Sequence, residues 1–140
     1  MCLELVNQKN TIKNNFVVDY NLNNLYNSFI MIDILKDIVK HTHGLGFLDL
    51  VKITGTSDAT AIDSMAEDRS VILQGSFHKP QSGMIGTFGM PQLNKLDIHL
   101  KCPEYKEKAN INVITGTRNG AETPTGIHFE NEKGDFKNDY

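Results

Sequence analysis

The stretch from Met84 to Tyr105, MIGTFGMPQLNKLDIHLKCPEY, constrains the fold more than any other, because a strand pattern breaks at Gly89 and a helix pattern follows it. Proline pre-sets φ and lacks a backbone N–H, so Pro91 suits the opening turn of that helix. At about 100° per residue, Leu93, Leu96 and Leu100 fall on one side, while Gln92, Lys95 and His99 gather on the other. One side is built to pack. The other presents Lys95 either to water or to a polyanion.

A second helix pattern precedes it. From Leu25 to Thr42 the sequence LYNSFIMIDILKDIVKHT predicts a helix with Asn27 or Ser28 as N-cap and Gly44 as its stop. Ile30, Met31, Ile34, Leu35, Ile38 and Val39 make a broad apolar arc that belongs against a sheet, leaving Asp33, Lys36, Asp37 and Lys40 on a narrow polar face. The Asp33–Lys36 and Asp37–Lys40 spacings let these charges neutralise one another locally.

Between the two helices lie four strand patterns, Phe47 to Thr54, Thr60 to Met65, Ser70 to His78 and Gly83 to Phe88, separated by turn-rich segments. Joined by tight turns, they predict an antiparallel meander. Three more strand patterns follow the second helix: Asn110 to Thr117, Thr125 to Glu130 after the Arg118-Asn119-Gly120 turn, and a start at Asp135. Near the beginning, Phe16 to Tyr20 has strand-like β-branched and aromatic content. The expected order is therefore β-α-ββββ-α-βββ, an α+β domain with two helices side by side on antiparallel sheet.

At 140 residues the chain suits one domain with a proper core. No run approaches the roughly 18 apolar residues of a membrane span, and MCLELVNQKN lacks the basic start and apolar block of a signal peptide. An intracellular, reducing setting is expected, since Cys2 and Cys102 fit neither a disulfide framework nor zinc spacing. A formal charge of −3 argues against a wholly nucleic-acid-binding surface and permits a basic patch on one face.

Catalytic chemistry finds little to work with. His41-Thr42-His43 sits at a helix end, where histidine also suits the dipole, and no third ligand follows at a useful spacing. Asp63, Glu67 and Asp68 could hold Mg²⁺ for phosphodiester chemistry, but they span a turn in which acids are commonplace. No phosphate loop or nucleophile elbow exists. No catalytic residue, metal site or cofactor is expected; a small metal-dependent nuclease or hydrolase, or a non-catalytic virion protein, stands as the alternative.

Several stretches, in order, resemble one family. Ala61 to Leu73, then Gly89 to Cys102 with Leu93, Lys95, Leu96, Leu100, Lys101 and Cys102, then Ile111-Asn112-Val113-Ile114, then Phe129-Glu130 through Lys133 to Asp139-Tyr140 are similar to successive segments of the DNA sliding clamps. These are the polymerase processivity factors of the proliferating cell nuclear antigen and T4-type phage kind. The resemblance covers residues 25 to 140, and its specificity lies in the collinear set.

It implies a clamp-fold domain forming the N-terminal half of a two-domain subunit, cut short in its last strand, with residues 1 to 24 as an extension. Three such subunits would close a ring around double-stranded DNA, helices lining the hole, with a DNA polymerase and a clamp loader as partners and no membrane. Its setting would be DNA-associated: nucleus, nucleoid or infected-cell cytoplasm. On the helices, Lys36, Lys40, Lys95, His99 and Lys101 stand where the resemblance implies DNA-facing residues. Lys95 is foremost, with no acid on its own arc.

Overall fold

The computed structural model describes residues 20–106 and 108–140. Helix α1 runs Tyr20–His41, strands β1 to β4 run Leu50–Gly55, Thr60–Met65, Ile72–Ser76 and Gly86–Pro91, and helix α2 runs Leu93–Lys101. Strands β5, β6 and β7 follow at Asn110–Arg118, Ala121–Glu130 and Lys137–Asp139. The α+β order of two helices with antiparallel strands holds, while finer expectations change. The strand pattern at 16–19 lies outside the described residues, and Tyr20 belongs to α1.

Helix α1 begins before Asn27 and Ser28, so neither residue caps it. Ser28 is buried inside the helix and its hydroxyl accepts the Ile111 N–H at 3.1 Å. Among the described side chains the buried stripe is Ser28, Ile32, Leu35, Ile38, Val39 and Thr42 with Met31 and Ile34 packed against the core, so Ile32 joins the expected arc and Ile30, 41% exposed, leaves it. At the far end the Thr42 hydroxyl donates to the Ile38 carbonyl at 2.6 Å, closing the last turn before a 3₁₀ turn at His43–Leu45.

The four strands are not a simple meander. Their order is β3-β2-β1-β4, so β4 returns to pair with the outer side of β1, from Leu50↔Pro91 to Gly55↔Gly86. Three hairpin-connected strands with the fourth beside the first make a Greek key. The returning loop is anchored on buried Thr60, whose carbonyl accepts the Phe77 N–H at 3.0 Å and whose hydroxyl accepts the Gln81 N–H at 2.9 Å. It then crosses the end of β1 in a 3₁₀ turn, Ser82–Met84, that buries Met84. Pairing along the ladder is specified by residues that no local pattern contains.

The strands also divide into two sheets, with β5-β6-β7 as the second. The β5–β6 hairpin turns on Asn119 and Gly120 at φ 52 and 78, the left-handed pair that suits a two-residue hairpin. Strand β4 approaches β6 without a ladder between them. Both strands carry a proline, Pro91 and Pro124, which cannot donate to one.

Both helices and both sheets nevertheless share one core. Leu35 and Ile38 of α1, Val51 and Ile53 of β1, Leu93 and Leu96 of α2, and Phe129 of β6 are all essentially inaccessible and belong to a single cluster. Helix α1 packs against α2 and against β5.

Candidate nucleic-acid interface

Helix α2 does not begin at the proline. Pro91 closes β4, Gln92 takes a left-handed conformation (φ 57), and the first turn is capped from a distant loop by Asp49. The Asp49 carbonyl accepts the Leu93 N–H at 3.2 Å, and its carboxylate accepts the Asn94 N–H at 3.1 Å. Two donors that a helix start leaves orphaned are thereby satisfied. This cap fixes the rotation of α2, with Leu93, Leu96 and Leu100 inward as the periodicity predicts.

At the outer apex stands Ile98, 66% exposed, flanked by Lys95 on one side and Asn94 and Lys101 on the other. The same 100° projection that orders the leucines would have found it, since it lies opposite all three.

The five expected residues fall into distinct settings. Lys36 and Lys40 sit exposed on α1, with no ion pair to either among the described residues. Asp37, expected to neutralise Lys40, turns instead to His41, whose Nδ1 lies 3.1 Å from its carboxylate and 2.9 Å from its carbonyl. Lys95 is likewise exposed without an ion-pair partner among the described residues. Lys101 is held by Asp97 at 2.5 Å. His99 turns inward: its ring lies 5.3 Å from that of Phe129 and its Nδ1 meets the Lys95 carbonyl at 2.7 Å.

The two helices thus bring Lys36 and Lys40 together on one side and set Lys95 apart on the other. A crevice of about 210 Å³ lies beside Lys36, with Lys106 across it. A larger groove of about 420 Å³ takes in Lys95, His99 and Arg118. Lys106 and Arg118 were not expected here, because each comes from a loop or hairpin end that only folding places near a helix.

The histidine pair and two of the three turn acids weighed for metal chemistry are separately engaged. His41 meets Asp37, whereas His43 faces Asp49 at 3.9 Å. Asp63 accepts from the Gln74 amide at 3.3 Å, and Asp68 accepts from the Ser70 hydroxyl and N–H, bonds that hold its carboxyl below the ordinary value. Among the described residues no group of three or more His, Cys, Asp or Glu is placed to hold a metal ion. No helix among them is long and apolar enough to cross a membrane.

Fold and surface define an α+β domain whose two packed helices carry exposed lysines at separate places, Lys36 and Lys40 on α1 and Lys95 on α2. Neither the protein-family models nor the curated proteins contain a match to the chain.

Proposed function

We propose that the chain is a sliding-clamp domain, part of a polymerase processivity factor that encircles duplex DNA without reading its sequence. One observation carries the reading: α1 and α2 pack against each other over a common core and leave Lys36, Lys40 and Lys95 exposed without acidic partners among the described residues. Lysine meets a phosphate as a mobile point charge, and phosphate contacts position a protein without specifying bases. A ring that must travel along DNA needs that kind of contact. Ile98 at the apex of α2 offers phosphates nothing, so contact falls to the flanking cations. In this reading a second domain and further subunits complete the ring, a clamp loader opens it, and a DNA polymerase is the tethered partner.

The test is fluorescence anisotropy at low salt on two duplexes of unrelated sequence, using the wild-type chain and the Lys36→Glu/Lys40→Glu/Lys95→Glu variant. Equal affinity for both duplexes is expected. In the variant, binding should weaken, and the slope of log K against log salt should flatten by about 0.9 for each phosphate no longer neutralised. A sequence preference, or an unchanged slope in a variant that still melts cooperatively, would overturn the reading.

A further inference from the structure

The groove of about 420 Å³ between β4 and β6 is not explained by DNA binding. It lies where the two sheets approach without pairing, and its volume falls within the range of small-molecule sites. Phe88, Met90, Val113 and Ile127 give it an apolar lining, and Lys95 and Arg118 stand on its rim. Both cations are exposed, and neither has an ion-pair partner among the described residues.

The acid in the lining, Asp139, is already committed, with its carboxylate 2.5 Å from Nδ1 of His128. The Tyr140 hydroxyl closes one end by donating to the Pro91 carbonyl at 2.6 Å. Beside the lining residue Thr123, Gly86 lies so close that a Cβ on it would come within 3.2 Å of the threonine methyl.

We propose that this groove binds an elongated small organic anion, with an apolar body in the groove and acid groups at Lys95 and Arg118. Charge complementarity carries the assignment: two cations without ion-pair partners among the described residues stand on the rim of a groove whose one acid is engaged by His128. Their spacing sets the length. Arg118 pairs with Ala121, and Ile127 pairs with Tyr140, whose hydroxyl reaches Pro91 just ahead of α2 and Lys95; the strand between, less one bulged residue, spans roughly 17 Å. A chain of about twelve carbons with a carboxylate at each end matches that span. The proposal shares Lys95 with the DNA reading but fails separately from it, because its assay contains no DNA and turns also on Arg118 while leaving Lys36 and Lys40 untouched in the ligand variants.

The probe is dodecanedioate, titrated into the full chain by calorimetry beside dodecyltrimethylammonium and an acidic decapeptide. Dodecanedioate is expected to bind most tightly. Lys95→Met and Arg118→Met should each weaken it about three- to fivefold, the weight of one partly exposed ion pair. Thr125→Trp, at an exposed lining position, should block it, while Lys36→Met should change nothing. Failure of dodecanedioate to bind, equal binding of the cationic surfactant, or full affinity in both methionine variants would overturn the proposal. Tighter binding of the peptide would assign the groove to a protein partner instead.

Discussion

Asp49 and Tyr140 each hold together parts of the chain far apart in sequence. Asp49 caps α2 from 45 residues away. Asp49→Ala should therefore cost about 1 kcal/mol, the weight of an N-cap, and lower the melting temperature by about 3–5 °C; Asp49→Asn should retain most of the stability. Neither residue is legible in the sequence as a cap or a bridge, because capping signals sit next to the helix they serve and this acid lies across a whole Greek key. Burial, and secondarily the Asp49 charge, pushes the Tyr140 phenol up to about 12. An unfolded tyrosine titrates near 10, so the raised folded value gives a contribution that is complete below pH 10 and lost as pH rises through about 12. Tyr140→Phe should flatten the alkaline limb of a stability-against-pH profile in that window. At neutral pH it should remove about 0.5–1 kcal/mol with the Pro91 bond.

At the scale of elements, the decisive event is the return of β4 to the far side of β1. The sequence patterns placed β2 at its observed bounds and found the inward leucines of α2, because alternation and helical periodicity are local properties. They did not show strand order, which depends on Thr60 holding the loop and on the absence of a side chain at Gly55. A Cβ on Gly55 would lie 1.7 Å from the Met84 carbonyl oxygen, a backbone atom that cannot turn aside. Gly55→Ala is expected to destabilise by about 3 kcal/mol or more, read as a lower denaturant midpoint, whereas Gly75→Ala, where a Cβ meets nothing within 4 Å, should change little. Comparable losses in the two variants would remove the crossing as the cause. Edge strand β3 carries a second local consequence. Ile72 is 67% exposed and pairs with half-exposed Met65, so Ile72→Lys should reduce concentration-dependent association without lowering stability.

Across the whole molecule, one core must serve two sheets that do not pair with each other, so the helices provide the connection. Phe129 of β6 touches His99 of α2 and Tyr105 beyond it, with ring centroids at 5.3 and 5.4 Å. This is why His99, read from the helical wheel as a surface residue beside Lys95, is turned toward the core: an aromatic partner on a distant strand is invisible to periodicity. The link on the other side is the Ser28 hydroxyl, which accepts the buried Ile111 N–H across 83 residues and ties α1 to β5. Ser28→Ala leaves that buried N–H without its partner. The expected cost is about 1–3 kcal/mol, with a loss of hydrogen-exchange protection at Ile111 exceeding that at Val51 in the first sheet. Equal loss at both amides would mean that the two sheets open as one unit, with α1 merely resting on β5. A larger loss at Ile111 would instead make the α1–β5 contact the weakest joint of the domain, and would make α1, with Lys36 and Lys40, the more mobile helix of the pair.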